Sequence, residues 1–174
     1  MALSLAAGFV EPLESTSIHL IMTGLTRLMQ AFPFDGVSPA VVARYNEQSR
    51  GEIEQIRDFI VLHYHLNDRP EPFWRRQREM AVPDGLADRL ALFAESAHLY
   101  QSPDDLFRVS SWLQVMFGQG LKPKQYHQLA RLIPDDQLRQ ALTDLKTNID
   151  GAVARLPTHQ TFLEDYCPEK AEAA

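Results

Sequence analysis

Helical spacing of the apolar residues, broken at intervals by proline, limits the fold of this chain more than any other feature. Ile18, Ile21, Met22, Leu25, Leu28 and Met29 recur at steps of three and four, which puts them on one face of an α-helix that stops before Pro33. Ser38-Pro39 then joins a good N-cap to a good first helical residue. The periodicity resumes through Val42, Tyr45, Ser49, Ile53, Ile56, Phe59, Ile60 and His63 to about Asn67, a helix of roughly 45 Å at 1.5 Å per residue. Arg69-Pro70-Glu71-Pro72 breaks the chain, and 73–80 reads as a short helix. Pro83-Asp84-Gly85 starts another that runs to about Tyr100, and Ser102-Pro103-Asp104-Asp105 has the look of a further helix start. A short apolar helix at 110–117 is closed by Gly118-Gln119-Gly120, and 126–133 follows as one more. Pro134-Asp135-Asp136 opens a last long helix carrying Leu138, Leu142, Leu145, Ile149, Val153 and Leu156. Pro157 kinks it, and 158–166 continues it. No hairpin signal or repeat competes with this pattern. The expectation is an all-α fold, a single irregular domain of seven or eight helices, with a disordered tail from Pro168.

Composition closes off several functions. A chain of 174 residues with 45% apolar and 23% charged side chains has enough material for one domain with a real core. The formal charge is -6, and the densest basic run, Arg75-Arg76-Gln77-Arg78, has acids on either side. Nucleic acid is therefore not an expected partner, because phosphate binding needs clustered cations. No apolar run approaches the ~20 residues of a membrane span. Glu11 and Glu14 interrupt the only apolar stretch near the start, and no basic segment precedes it, which argues against a signal peptide. The expected location is the cytoplasm, away from membranes. Cys167 is the single cysteine, so neither an internal disulfide nor a thiolate metal cluster can form. His63 and His65 stand two apart and point about 200° from each other on a helix. No metal site is expected: His63 reads as a core or pocket residue and His65 as a surface one. Trp112 and the Met22/Met29 stripe read as packing, and Arg57 and Asp58 as ion-pairing on the solvated side of their helix.

The segment Glu11-Pro12-Leu13-Glu14-Ser15-Thr16-Ser17-Ile18 carries chemistry. It follows a small apolar lead-in at 3–10, and Pro12 forces an extended turn. Thr16 and Ser17 fall in the first turn of the first long helix, where backbone N–H groups lack intrahelical acceptors. The helix dipole adds partial positive charge, so a small anion such as chloride is a natural ligand there. Glu14 stands beside that corner. On spacing alone, the plainer alternative is an ordinary N-cap at Ser15 or Thr16 with an acid nearby.

The string Gly8-Phe9-Val10-Glu11-Pro12-Leu13-Glu14-Ser15-Thr16 resembles the signature of flavin-dependent tryptophan halogenases. The resemblance continues, in the family's order, through Arg44-Tyr45-Asn46, Glu54, Arg57-Asp58-Phe59-Ile60, Leu62-His63-Tyr64 and Phe73-Trp74. It extends to Trp112, Gly118-Gln119-Gly120, Pro123, Tyr126-His127 and Leu129-Ala130. It implies the C-terminal, substrate-covering part of a flavin monooxygenase-like enzyme. On that basis 1–14 ends the flavin-domain element with its halide and flavin loop, and 15–167 is the helical substrate-covering domain.

In the family, reduced FAD and oxygen give a flavin hydroperoxide that oxidises halide, and an aromatic substrate is then halogenated. The resemblance gives Glu14 the catalytic role, as acceptor of the ring proton or stabiliser of the cationic intermediate. It gives Thr16 and Ser17 the halide, through backbone N–H, and places Leu5 and Ile18 against the flavin. Ser15, Tyr64, Phe73 and Trp74 become substrate residues, the last two as the aromatic pair that sandwiches an indole. A flavin reductase is the implied partner.

Ser17 stands where tryptophan halogenases usually have glycine, a change a backbone contact tolerates. The 63–73 region is richer in Pro and His than in tryptophan-specific enzymes, which leaves tryptophan, another indole, a peptidyl tryptophan or a phenolic ring open as substrate. The chain has no Gly-x-Gly-x-x-Gly, no Trp-x-Trp-x-Ile-Pro, and no lysine before Lys122. By itself it is expected to hold no FAD tightly and to be inactive. The alternative expectation is a non-catalytic helical subunit that pairs with a separate FAD-binding chain.

Overall fold

A computed structural model of the chain describes residues 8–11, 13–102 and 105–167, with Glu14 described by its backbone alone. Leu5 and the tail from Pro168 lie outside the described residues. Among the described residues there are seven α-helices, two 3₁₀ segments and no strand, in accord with the all-α expectation. The helices are α1 (Thr16–Gln30), α2 (Pro39–His65), α3 (Pro72–Glu79), α4 (Asp84–Ser96), α5 (Val109–Gly118), α6 (Asp135–Val153) and α7 (His159–Tyr166). The 3₁₀ segments are Leu13–Ser15 and Gln128–Leu132. The chain divides into two compact units, Met1–His127 and Gln128–Ala174.

In the first unit, α2 is the central element. Ile56, Phe59 and Leu62 form a buried stripe along it, joined by Leu86 and Phe93 of α4 and by Trp112 and Met116 of α5. Phe107 completes the cluster, with its ring 3.8 Å from that of Phe59, and Trp112 meets Phe59 edge-on at 4.9 Å. Trp112 is thus core, as expected. Val10 and Leu13 pack against the same cluster, which anchors the segment leading into α1.

The joint between α1 and α2 is polar. His19, Thr23 and Arg27 recur every four residues, so they share one face of α1. All three reach the buried carboxylate of Glu52: His19 at 3.1 Å, Thr23 at 3.1 Å and Arg27 at 2.5 Å. This rotates the apolar stripe of α1 outward. Ile18, Met22, Leu25 and Met29 are 60, 65, 52 and 62% exposed, so the Met22/Met29 stripe is not core. A buried carboxylate satisfied by three donors is what turned the helix.

Other boundaries also move. The fourth helix ends at Ser96 rather than near Tyr100, because Ala97 adopts φ 53°, a left-handed residue that closes it. The helix start expected at 102–105 falls partly outside the described residues, at Pro103 and Asp104; Ser102 and Asp105 themselves are not helical, and the Ser102 N–H donates to Asp105 Oδ2 at 2.9 Å. The expected helix at 126–133 is only the 3₁₀ segment Gln128–Leu132. His65 is half-buried with its Nδ1 enclosed, not on the surface. Arg57 and Asp58 pair at 2.7 Å, with Arg57 half in solvent.

In the second unit, α6 begins directly after Pro134, as its Pro-Asp-Asp start requires. Pro157 ends the helical run rather than kinking it. Thr158 then caps a separate helix, α7, its hydroxyl accepting the Thr161 N–H at 3.1 Å. Leu142, Leu145, Ile149 and Val153 are all more than half exposed.

Candidate functional site

The site is built on the turn before α1. Leu13 N–H donates to the Glu11 carbonyl at 2.8 Å, and the Thr16 hydroxyl donates to the same oxygen at 3.2 Å. Thr16 is fully buried. Ser15 takes φ 62° and ψ 24°, left-handed for a residue with a Cβ, and its hydroxyl caps nothing in the helix. The ordinary N-cap alternative is therefore not what forms. Strain of this kind costs of order 1 kcal/mol or more and recurs at functional turns. Glu14 sits within the 3₁₀ turn, Ser17 is half-buried and Ile18 is exposed. Ser15 and Ile18 line a cavity of about 490 Å³, together with His19, Met22 and the 106–111 segment.

Tyr64, Phe73 and Trp74 meet across the α2–α3 joint. Ring centroids lie 5.4 Å apart for Tyr64 and Trp74, 6.3 Å for Tyr64 and Phe73, and 5.1 Å for Phe73 and Trp74. The chain break expected at 69–72 makes this possible, since α2 ends at His65 and Pro72 starts α3 after the short connection 66–71. Arg78 holds the break by donating to the Asn67 and Arg69 carbonyls. Tyr64 and Trp74 line a pocket of about 220 Å³ with Glu11, Leu13, Ile60, His63, Asn67 and Gln119. Ser15 opens on the other cavity, so the substrate residues expected together are divided between two hollows. A larger cavity, about 660 Å³ at the α1–α2 connection, contains none of the expected site residues. Among the described residues no three His, Cys, Asp or Glu side chains are placed to share a metal ion.

The sequence reading missed the side-chain role of Glu11. The Tyr64 hydroxyl donates to Glu11 Oε2 at 2.6 Å, across 53 positions of sequence. Glu11 therefore ties α1 through its carbonyl and α2 through its carboxylate. The hydrogen bond, then burial, then the negative charge all favour the neutral phenol, holding Tyr64 above its usual value of 10.0. Because the folded value is raised, the pair's contribution to stability is whole below pH ~10 and is lost as pH rises through the folded value. Glu11→Gln is expected to lower the Tyr64 ionisation toward 10, read as tyrosinate absorbance at 295 nm against pH. An unmoved titration would mean that the carboxylate does not hold the phenol in solution. Gln119 was also missed; its side-chain amide donates to the His63 carbonyl at 3.2 Å and closes one wall of the pocket.

These elements recur in known proteins. The family pattern described as tryptophan halogenase matches residues 1–135. The tryptophan 7-halogenase RebH of Lentzea aerocolonigenes is 28% identical over 176 aligned residues, covering 89% of this chain and 33% of RebH. A flavin-dependent halogenase from Xanthomonas campestris superposes with a TM-score of 0.90 at 45% identity, over 98% of this chain and 35% of that one. The flavin-dependent halogenase BrvH from Brevundimonas sp. BAL3 superposes at 0.87 with 38% identity, over 95% of this chain and 34% of that one. The match falls on the C-terminal portion of the halogenase structures, and the chain spans about a third of the length of these relatives. With the motif, the fold and the family pattern in agreement, the chain belongs to the tryptophan halogenase family.

Proposed function

We propose that this chain supplies the halide corner and the aromatic substrate wall of a flavin-dependent halogenase acting on an indole-like ring. The observation that carries the reading is the left-handed, uncapped turn at Ser15, set within the family's motif. The start of α1 suits a halide: Thr16 is buried there, and no Ser15 hydroxyl competes for the first-turn N–H groups. Thr16 and Ser17 would hold the ion through those N–H groups. Ile18, exposed in the same first turn, offers an apolar surface to the flavin ring, and Leu5 is proposed as its companion.

When bound, reduced FAD would activate molecular oxygen, and the oxygen would supply the oxidising equivalents that turn halide into an electrophile. The chain's own residues would do the rest: Tyr64, Phe73 and Trp74 would stack against the substrate ring, and Glu14 would stabilise the cationic ring or take its proton, while Ser15, which opens on the other cavity, would orient the substrate from the halide side. FAD and halide are the cofactors, with a flavin reductase as the source of reduced flavin. No nucleic acid or membrane surface enters the reading. Among the described residues no helix is long and apolar enough to cross a membrane. Activity is assigned to the assembled enzyme, located in the cytoplasm, and this chain alone is proposed to be inactive.

A second reading is favoured by one observation, the exposed apolar stripe of α1. A stripe of that kind marks a surface that another body covers. In this reading the chain is a helical subunit paired with a separate FAD-binding chain.

One experiment tests both readings. An antibody against this chain gives its native mass in source cells, and the captured material is supplied with FAD, flavin reductase, a reduced nicotinamide, air, bromide and indole. Bromoindole is the expected product. A band near 19.8 kDa that brings down a flavoprotein would select the paired form, and a larger single polypeptide the other. A flavin-loaded preparation that consumes oxygen yet brominates neither indole nor a phenol would remove the proposal.

A further inference from the structure

We propose that His19 is the proton donor for halide oxidation, held to that task by the buried carboxylate of Glu52. This rests on the reading of the turn before α1 as the halide corner and adds a residue to it. The Glu52 side chain is 6% exposed, whereas that of His19 is 35% exposed. The orienting group is inside and the imidazole reaches out. Arg27 and Thr23 both meet Glu52 Oε2, at 2.5 and 3.1 Å. Oε1 is left to His19 Nε2, at 3.1 Å. A carboxylate paired with arginine can only accept, so Nε2 carries a proton. Nδ1 makes no hydrogen bond among the described residues, and it is the nitrogen free to gain and release one.

Position and chemistry agree. His19 stands three residues beyond Thr16 in α1, and side chains so spaced are neighbours, at ~5–6 Å between Cβ atoms. It lines the 490 Å³ cavity that also takes in Ser15 and Ile18. The charged groups around it are Glu52 and Arg27 at the α1–α2 joint and Arg108 on the cavity. Arg108 has no proton to give, since a guanidinium stays charged. His19 is therefore the one lining side chain, among the described residues, that exchanges a proton near neutral pH. When a hydroperoxide oxidises halide, the halogen–oxygen bond forms and the O–O bond breaks. Two electrons leave the halide, and the pair from the broken bond stays on the departing oxygen. That oxygen needs a proton, so a hypohalous acid and an alcohol form with one proton consumed per halide. His19 Nδ1 supplies it. Glu52 then holds the neutral ring as its Nε2–H tautomer, ready for the next proton from solvent. Glu14 is assigned a proton to take from the ring, which is the opposite event.

The test has two arms. In the 174-residue chain, labelled with ¹⁵N, long-range ¹H–¹⁵N correlation reports the tautomer of the neutral His19 ring, assigned with His19→Gln. Nε2–H is expected. In Glu52→Gln, Arg27 and Thr23 claim the amide oxygen, which turns the NH₂ toward His19 and is expected to switch the ring to Nδ1–H. An Nδ1–H ring in the unsubstituted chain overturns the proposal. In the flavin-loaded enzyme with bromide and indole, His19→Gln is expected to lower kcat by ~10²-fold or more, with the KM for bromide held. Oxygen consumption then ends as hydrogen peroxide instead of bromoindole, a diversion that a role in packing alone does not produce. Glu52→Gln is expected to share the diversion. If His19→Gln keeps its kcat, or loses bromide affinity alone, the proton-donor proposal falls and the halide corner stands. If the unsubstituted enzyme consumes oxygen and yields no brominated product, the halide-corner reading falls and this proposal with it.

Discussion

Replacing Glu14 by glutamine is expected to lower turnover of the flavin-loaded enzyme by ~10²-fold or more, the scale of a lost acid/base group. Electrophilic attack leaves an arene with a full positive charge and one proton too many. A carboxylate at the ring answers both, by stabilising the cation and by accepting the proton. Glutamine keeps the size and loses the charge and basicity, so the difference between the two is the chemical role itself. The backbone gives Glu14 little freedom. It is the middle residue of the 3₁₀ turn Leu13–Ser15, between Leu13, packed on the core, and a Ser15 held left-handed. An interaction made only in the transition state should reduce kcat and kcat/KM together. Steady-state kinetics at saturating halide, with flavin reductase in excess, provide the measurement. Unchanged turnover would remove Glu14 from the mechanism. A raised KM with constant kcat would make it a group that binds substrate and does no chemistry.

The helices were legible where local chemistry decides them. Ser38-Pro39 and Pro134-Asp135 start α2 and α6 where the sequence reading placed them, because caps and N-terminal prolines act within one turn. What sequence could not show was set at a distance. The stripe of α1 has the spacing of a core face, yet Glu52, 33 positions from His19 and 25 from Arg27, commands the other side of the helix. Periodicity says that a face is apolar, not which body covers it. Ala97 ends α4 without glycine's help, so composition carried no stop signal. The motif itself located the turn before α1, but the Glu11–Tyr64 bond joins residues 53 apart and has no local signature. Leu5 lies outside the described residues, so its assignment to the flavin rests on the motif alone.

Arg89→Met is expected to destabilise the chain by about 3–5 kcal/mol, the cost of leaving one member of a buried pair alone. Arg89 is 6% exposed, its guanidinium stacked 4.3 Å from the Tyr100 ring and 4.2 Å from the Trp112 ring. It donates to the Tyr100 carbonyl at 3.1 Å and reaches Asp105 Oδ2 at 3.4 Å. The Asp105 side chain is only 3% exposed, and its Oδ1 has no partner among the described residues. Among the described residues, without Arg89 that carboxylate keeps the Ser102 N–H at 2.9 Å alone, too little for a charge so enclosed. Methionine retains much of the apolar bulk between the two rings, so the loss reads charge more than volume. Adding Asp105→Asn to Arg89→Met should recover part of it, since no unpaired charge then remains. Urea unfolding of the three variants supplies the comparison. A loss below ~1 kcal/mol in the single variant would mean that the pair behaves as a solvated one. The effect also reaches the site. Arg89 fastens the segment after α4 to the core, and that segment carries Phe107 onto Phe59 and supplies 106–111 as the wall facing Ser15 and Ile18. Loosening it should therefore open the cavity at the start of α1 at denaturant concentrations where α2 still holds.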